Sequence, residues 1–186
     1  MAHRIDLTMK DLRAVAAYAA ESAARVLSIF EQCHPSDTRP RDALEATRGF
    51  VQGGKRGKAL RDAAWAALKA ARQAEDAAAS QAARAAMCAA SAAYLHPLAT
   101  ATQLRHILGA AAHAARAVEI AKGDGARVDT DPFQHAIRSA PASVIDVLCR
   151  YPSAPAGGGR VGELLRCLDR ELREISAETS AYRAGR

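Results

Sequence analysis

Alanine makes up about a quarter of this chain, whereas aromatic residues make up only 4% of its 186 residues. Alanine is the strongest helix former and a poor strand former, so this composition favours an all-α protein. Its small side chain also lets neighbouring helices approach closely, so few large residues are needed to build a core. The length suits one domain with a core of its own. The sequence therefore predicts an all-α, single-domain helical bundle with alanine-rich close packing.

Capping residues, prolines and glycines divide the chain into about seven or eight predicted helices. Thr8 can cap the first helix, with Asp11 reaching back to it as in a capping box. Ser36 or Asp37 can cap the second helix, which contains Pro40 in its first turn. The helices are expected from Thr8 to near His34, from residue 36 to Gly53, over about 56–76, over about 77–95, from Thr100 or Thr102 to Lys122, as a short helix capped by Asp131, as another in residues 141–150, and over 160–176.

The segment YPSAPAGGG, residues 151–159, separates the predicted bundle of residues 1–150 from a C-terminal helix. Its proline and glycine content is typical of a linker. Over residues 160–176 apolar residues recur every three or four positions, which predicts an amphipathic helix. This helix either packs on its own bundle or binds a partner, which includes a second copy of the chain. Its apolar positions are Val161, Leu164, Leu165, Leu168, Leu172 and Ile175.

The stretch GFVQGGKR, residues 49–56, is one residue short of a nucleotide-binding P-loop. A P-loop reads G-x-x-x-x-G-K-[ST], because backbone N–H groups and the lysine hold the phosphates while the final hydroxyl ligates Mg²⁺. Arg56 stands at the hydroxyl position, and arginine cannot ligate a cation. A P-loop also follows a strand, whereas the residues before these glycines have helical periodicity. The stretch is therefore interpreted as a hinge in which Gly53 and Gly54 join two helices.

Charge and the N-terminal sequence limit the expected compartment and partners. The start, MAHRIDLTMKDLR, lacks the apolar stretch of a signal peptide, and polar residues interrupt every alanine-rich segment. No membrane span is therefore expected, and the protein is expected to be cytoplasmic. The net charge of +6 permits attraction to nucleic acid or to an acidic protein. An exposed helix start is the preferred explanation of the one dense basic cluster, so nucleic acid is not the expected partner. That cluster comprises Lys55, Arg56, Lys58 and Arg61.

Three histidines, His96, His106 and His113, fall within one predicted helix-turn-helix span. His106 and His113 are seven residues apart, which places them on the same helical face. Three imidazoles can form a zinc site, but this spacing is not an established ligand pattern and no carboxylate follows at a recognisable interval. Structural histidines are preferred, with His106 donating to a backbone carbonyl close to Gly109. The four cysteines lack a C-x-x-C pair and are expected to be buried or idle thiols, so no metal, disulfide framework or cofactor is predicted.

Two further groups are candidates for contact with a partner. Asp37, Arg39, Arg41 and Asp42 cluster at one predicted helix start. They form either a cap with local ion pairs or a polar patch whose arginine forks bind carboxylates of a partner. Trp65 is the only tryptophan, and packing in the core is expected. If it is exposed, it becomes the first candidate for an interface anchor.

Three segments together resemble a family of bacterial immunity proteins, the Imm-5-like group linked to polymorphic toxin systems. Residues 37–55, DTRPRDALEATRGFVQGGK, are similar to a pattern Asp-x-Arg-Pro-x-x-Ala-Ile-Glu-Ala-x-Arg followed by a turn of small residues. Residues 60–99 resemble the alanine-rich helix pair of the family, and residues 106–121, HILGAAAHAARAVEIA, resemble its His-x-x-Gly-Ala-Ala-x-x-Ala helix. The resemblance covers roughly residues 10–122.

The resemblance implies an immunity protein that binds and neutralises a cognate toxin by surface complementarity, without catalysis. The residues themselves agree with a binding role, since no G-x-S-x-G motif or ordered Ser, His and acid is present. A small-molecule or cofactor binder is the alternative, with a cavity lined by Trp65, Tyr94, His96, His106 and His113. A second alternative is a basic protein that associates with nucleic acid.

Overall fold

The computed structural model describes residues 4–123 and 132–184. These residues form nine α-helices and one short 3-10 helix, and no strand occurs among them, so the predicted all-α class is confirmed. In chain order the elements are α1 Met9–Ala24, α2 Leu27–Cys33, α3 Arg39–Val51, α4 Lys58–Gln73, α5 Ala77–Ala92, the 3-10 helix Ala101–Gln103, α6 Leu104–Gly123, α7 Pro132–Ser139, α8 Ala142–Cys149 and α9 Gly159–Ala184.

The centre of the bundle is formed by α5 and α6. α5 packs against α4 and α6 on its two sides and also contacts α1, α2 and α3. Ten of its 16 residues are buried, and nine of these are alanines. A helix surrounded by other helices must be apolar on most faces, and alanine meets this requirement without large side chains. The buried residues of all parts of the chain join in one continuous core, so the predicted single domain is confirmed.

Small side chains bring α5 and α6 close together. A Cβ added at Gly109 of α6 would lie only 3.1 Å from Sγ of Cys88 on α5. Protein interiors are packed at crystal-like density, so a contact this tight leaves little space for a larger side chain. The two largest fully buried side chains lie outside this contact, Phe30 on α2 and Phe50 on α3. The predicted alanine-rich close packing is thus present.

The N-terminal helix starts as predicted but ends earlier. The capping box is formed, because Asp11 N donates to Thr8 Oγ1 over 3.1 Å and Thr8 N donates to Asp11 Oδ2 over 3.0 Å. The chain then bends at Val26, whose φ of −117° and ψ of 1° are not helical, and α2 begins at the next residue. The bend directs α2 onto α5 and buries Phe30 to 1% exposure. This break accounts for nine α-helices where about seven or eight were predicted.

The start of α3 differs in detail from the prediction. Thr38, and not Ser36 or Asp37, occupies the N-cap position, and its side chain makes no capping bond to the helix backbone. Asp37 still accepts a hydrogen bond of 3.2 Å from Arg39 N. Pro40 lies in the first turn as predicted. The expected cap of α7, Asp131, lies outside the described residues.

The stretch GFVQGGKR contains the last three residues of α3 and most of the turn that leads to α4, as the hinge interpretation predicted. Gly53 has a φ of +113°, a conformation that favours glycine. Gly54 N donates to Gly49 O over 2.9 Å, which satisfies a carbonyl at the end of α3. A Cβ added at Gly54 would lie 2.6 Å from that same oxygen, so only glycine fits there without movement.

The segment before α9 is held to that helix by hydrogen bonds. Arg166 Nη1 donates to Pro155 O and Gly157 O, over 3.1 and 2.7 Å. Asp169, which is 3% exposed, accepts from Ala154 N over 2.9 Å and from Arg173 Nε over 2.7 Å. The segment expected to be a linker is therefore tied to α9 along its length.

The apolar face of α9 is buried within the chain, where it packs against α6, α7 and α8. The helix runs from Gly159 to Ala184 and so exceeds the predicted range of 160–176. Self-association through residues 160–176 stays a prediction, and only the exposed side of α9 is left for it. The buried leucines are Leu164, Leu165, Leu168 and Leu172.

Within the described residues, no helix combines the length and the apolar character that a membrane span requires.

Two glycines near the end of α3 predict opposite effects on stability, since Gly49 lies within α3 and Gly54 lies in the turn that follows it. Gly54→Ala is expected to lower the free energy of unfolding by more than about 1 kcal/mol, because the new Cβ meets Gly49 O. Gly49→Ala is expected to raise it by about 0.4–1 kcal/mol, because its Cβ meets no atom within 4 Å and alanine is the better helix former. Urea unfolding followed by circular dichroism measures both. Equal effects of the two substitutions would contradict this description of the turn.

The ion pair under α9 supports a second prediction. Arg173→Leu leaves the buried Asp169 carboxylate without its charged partner, which is expected to cost on the order of 3–5 kcal/mol. Arg170→Leu is the control, since Arg170 pairs only with exposed acidic residues of the same helix, a type of interaction worth about 0.5 kcal/mol or less. Urea unfolding curves of both variants provide the test, and similar losses would refute a special role of the buried pair.

Candidate functional site

A cavity of about 770 Å³ lies between α5, α6 and the beginning of α9. Its volume is within the range of roughly 300–1,000 Å³ that small-molecule sites occupy. The lining residues are Gln81, Arg84, Met87, Cys88 and Ser91 from α5, Thr102, Gln103, Arg105, His106, Gly109 and His113 from the 3-10 helix and α6, and Gly158, Val161, Gly162 and Leu165 from the start of α9.

Helical periodicity explains why these residues meet. On α5, positions 81, 84, 88 and 91 repeat every three or four residues and therefore share one face. On α6, positions 105, 106, 109 and 113 share a face for the same reason. Buried alanines occupy the remaining faces and hold the two helices together. The two mostly polar faces thus become two walls of one cavity.

His106 and His113 each use one ring nitrogen in a hydrogen bond within the protein. Nδ1 of His106 lies 2.9 Å from Ser91 O, and Nδ1 of His113 lies 2.7 Å from Gln81 Oε1. Because both oxygens accept, Nδ1 carries the hydrogen in each ring. The bond expected from His106 to a backbone carbonyl is therefore present. Nε2 of each neutral ring is an acceptor, and no residue of the described chain hydrogen-bonds to it.

Burial sets the protonation of this cavity. It lowers the pKa of His106 below the ordinary value. The pKa of His113 is lowered to about 4, first by burial and then by the positive charges of Arg84 and Arg105. Burial raises the pKa of the Cys88 thiol to about 12, against the opposing effect of the same arginines. Near neutral pH both imidazoles are neutral, and the thiol is protonated and therefore a poor nucleophile.

Arg84 and Arg105 carry the positive charge of the cavity. Arg84 is half-buried on α5 and Arg105 is exposed on α6. Neither guanidinium makes a hydrogen bond or an ion pair with any residue in the described ranges 4–123 and 132–184. No aspartate or glutamate is found among the described residues that line the cavity. The cavity therefore has two uncompensated positive charges beside two neutral imidazoles.

The predicted cavity residues are only partly brought together. His106 and His113 line the cavity, whereas Trp65, Tyr94 and His96 do not. His96 lies beside it, since its backbone N donates to Oε1 of the lining residue Gln103 over 2.9 Å. Tyr94 lies just after the end of α5, and its hydroxyl donates to Gly57 O, before the start of α4, over 2.7 Å.

Trp65 lies on the exposed side of α4, and the expectation that it packs in the core is wrong. Trp65 is 62% exposed, the largest value for any large apolar residue on the first eight helices. Three exposed cations lie on the same helix, Arg61, Lys69 and Arg72. With Trp65 they recur every three or four residues and therefore share one face. None of these three cations forms an ion pair with the described part of the chain. Trp65 and these three residues are called the α4 face below.

The cluster at the start of α3 is engaged in local interactions. Arg39 binds Asp37 with both arms, through Nε over 2.8 Å and Nη2 over 2.5 Å. This pair lowers the pKa of the Asp37 carboxyl, chiefly through the Arg39 hydrogen bonds. Arg41 pairs with Glu31 over 2.6 Å, and Asp42 accepts from the Thr38 hydroxyl over 2.9 Å. The four residues therefore make local interactions, as one of the two predicted alternatives describes. Contact of this cluster with a partner stays a prediction.

The dense basic cluster before α4 is partly neutralised. Lys58 pairs with Asp62 over 2.5 Å. Arg56 donates to Ala93 O over 3.2 Å, and its guanidinium lies 5.8 Å from the centre of the Tyr94 ring. Two of the four cations are therefore occupied within the chain, which reduces the charge available for nucleic acid.

The described residues contain no group of three or more His, Cys, Asp or Glu that could hold a metal ion. His96 and the two cavity histidines are accordingly not gathered around one point. The four cysteines are free thiols, and Cys88 alone is buried, whereas Cys33 and Cys149 are exposed and Cys167 is intermediate. Of the thiols expected to be buried or idle, Cys88 is buried, and the expectation that the other three are idle stays a prediction.

Family membership was tested by comparison with known proteins. The model of one family, described as "Imm-5 like putative immunity protein", matches residues 6–140. The chain belongs to this family. The match covers α1 to α7 and ends before α8, so the α9 wall of the cavity lies outside it. Comparisons with curated proteins and with solved structures find no match.

The cavity histidines predict a pH dependence of stability. The pKa of His113 falls from its ordinary value of 6.5 to about 4 in the folded chain, so the unfolded chain binds the proton more readily between these values. The contribution of His113 is therefore complete above about pH 6.5 and is lost as the pH falls to about 4, a change on the order of 3 kcal/mol. Urea unfolding at a series of pH values measures it.

In His113→Asn this part of the pH dependence is expected to disappear, while His106 leaves a smaller slope of the same sign. His96→Asn is the control, because His96 is exposed. An unchanged slope in the His113 variant would show that this imidazole is not kept neutral by its surroundings.

Proposed function

We propose that this protein is an immunity protein that binds a cognate bacterial toxin and neutralises it without catalysis. The observation that carries the proposal is the family match over residues 6–140. Most of the bundle belongs to this match, including α4 and the whole α5–α6 centre. An inhibitor of this kind needs a rigid surface, and the close-packed alanine core provides one.

The α4 face is the proposed contact surface for the toxin. Residues that dominate protein interfaces are enriched in tryptophan and arginine. Tryptophan buries a large area at a low cost in side-chain entropy, and arginine forms paired hydrogen bonds with carboxylates. Trp65 is a large apolar side chain that is mostly exposed, and Arg61 lies one turn before it. Burying this side chain against a partner removes a large apolar area from water, which favours binding.

The charges of the α4 face favour an acidic toxin surface. Arg61, Lys69 and Arg72 have no ion-pair partner in the part of the chain that is described. The whole chain has a formal net charge of +6. Complementary charge accelerates association and selects partners, and its effect falls with salt. The proposed association with the toxin is therefore fast, and its rate falls as the salt concentration rises.

Support for a role without turnover comes from the chemistry of the reactive groups. The buried thiol of Cys88 has a pKa raised to about 12, which keeps it in its unreactive form. Asp37, the acidic residue of the family-like segment, is held by Arg39 and has a lowered pKa, unlike a general acid. Neutralisation by surface binding requires neither a reactive thiol nor a general acid.

The test uses the product of any toxin-like gene that is found beside the gene of this protein. Coexpression is expected to restore growth of cells that make the toxin, and calorimetry of the purified pair is expected to give a saturable complex. Trp65→Ala is expected to weaken binding by at least about 2 kcal/mol, roughly thirtyfold, because a central anchor is removed. Lys69→Glu is expected to lower the association rate, with a smaller effect at high salt.

Met9→Ala is the matched control, since Met9 is an apolar side chain that is 43% exposed on α1. Its affinity for the toxin is expected to equal that of the unchanged protein. Circular dichroism confirms the fold of each variant. The absence of both protection and binding would overturn the proposed function, whereas binding that tolerates Trp65→Ala would overturn only the choice of the α4 face.

A further inference from the structure

The cavity between α5, α6 and α9 has features that surface binding of a protein does not use. Two guanidinium groups, those of Arg84 and Arg105, belong to opposite helices and have no anionic partner in the described ranges. A half-buried arginine normally pairs with a carboxylate, because its charge loses part of its hydration. No carboxylate is found among the described residues that line the cavity. The positive charge of the cavity therefore suits an anion that the described residues do not supply.

The third wall adds to the positive potential. The first turn of α9 borders the cavity through Gly158 and Gly162. The N-terminus of a 26-residue helix carries a partial positive charge from its aligned peptide dipoles. A Cβ at Gly162 would lie 2.0 Å from Gly157 O, so this turn requires glycine and presents backbone to the cavity. This wall supports the two arginines and does not replace them.

The neutral histidines add hydrogen-bond acceptors to a site whose charged groups, the two guanidiniums, are hydrogen-bond donors. Nδ1 of each ring is occupied, so the lone pair on Nε2 of His106 and of His113 remains for a ligand. Such a lone pair accepts from a hydroxyl group and repels an anionic oxygen. Ser91 and Thr102 add hydroxyl groups to the lining. The complementary ligand therefore combines an anionic group with neutral hydroxyl groups.

We infer that this cavity binds a small molecule that carries a phosphate monoester and free hydroxyl groups, with Arg84 and Arg105 holding the phosphate and the two histidines accepting from hydroxyls. A phosphate monoester carries a charge of about −1.5 to −2 at neutral pH, which matches two uncompensated arginines. Arginine forks bind phosphate through paired hydrogen bonds. The volume of about 770 Å³ admits a ligand the size of a phosphorylated sugar.

The low pKa of His113 supports the same arrangement. The two arginines contribute to lowering this pKa, so a bound phosphate that neutralises them is expected to raise it. Among the residues that the structure describes, no other charged side chain lines the cavity, and the remaining titratable groups that face it are His106 and Cys88. The shift on binding thus reports on the arginines directly.

The test measures binding of four probes to the full chain by calorimetry: ribose 5-phosphate, inorganic phosphate, ribose and succinate. Ribose 5-phosphate is expected to bind most tightly, inorganic phosphate more weakly, and ribose and succinate least. Arg84→Gln and Arg105→Gln are each expected to raise the Kd for ribose 5-phosphate roughly tenfold or more, because a charge-assisted hydrogen bond is lost. Arg138→Gln is the control, an exposed arginine on α7 outside the cavity lining.

Arg105 is exposed, so its replacement tests the site without disturbing the core, and circular dichroism checks the fold. Imidazole resonances in NMR titrations provide a second measurement, since added ribose 5-phosphate is expected to raise the pKa of His113. The inference is overturned if neither ribose 5-phosphate nor inorganic phosphate saturates the protein at about 10 mM. Tighter binding of succinate, or equal affinity of Arg105→Gln and Arg138→Gln, would overturn it as well. Neither result depends on whether the protein binds a toxin.

Discussion

The close approach of α5 and α6 governs both the fold and the cavity. Gly109 and the alanines of both helices leave too little space for larger side chains, so these two rods form a dense centre. Every other helix is arranged around that centre, and Phe30 and Phe50 fill the core from outer elements. Because polar side chains cannot enter such a contact, those on the two inner helices must emerge along its edge. That edge is where Arg84, His106 and His113 meet.

Much of the fold could be predicted because its helix ends follow local rules. Thr8 with Asp11, Pro40, and the paired glycines at 53 and 54 each act within a few residues of chain, and all are found at the ends of helices. The bend at Val26 could not be predicted this way, since neither proline nor glycine marks it. Its cause is the burial of Phe30 against a helix that is distant in sequence.

Only part of the candidate site could be predicted from the sequence, for a related reason. The seven-residue spacing of His106 and His113 placed them on one face, and they do line one cavity. Arg84 and Arg105 were missed, because arginines and acidic residues alternate through the chain and only the fold shows which ones lack a partner. Trp65 was misplaced although a signal existed. Leu60, Ala64, Ala67 and Ala71 mark the buried face of α4, and position 65 lies off that face.

The α4 face lies on the helix that packs on one side of α5, whereas the cavity lies between α5, α6 and the start of α9. This separation bears on function. A ligand in the cavity could influence the α4 face only through an element with two packed arrangements. α5 stands between them, and its closely packed alanines leave it little freedom to shift. The two sites are therefore expected to act independently. The family match ends at residue 140, while the third wall of the cavity begins near Gly158. Membership of the immunity family thus bears on the α4 face, and the phosphate site depends on a C-terminal helix that the family match does not include.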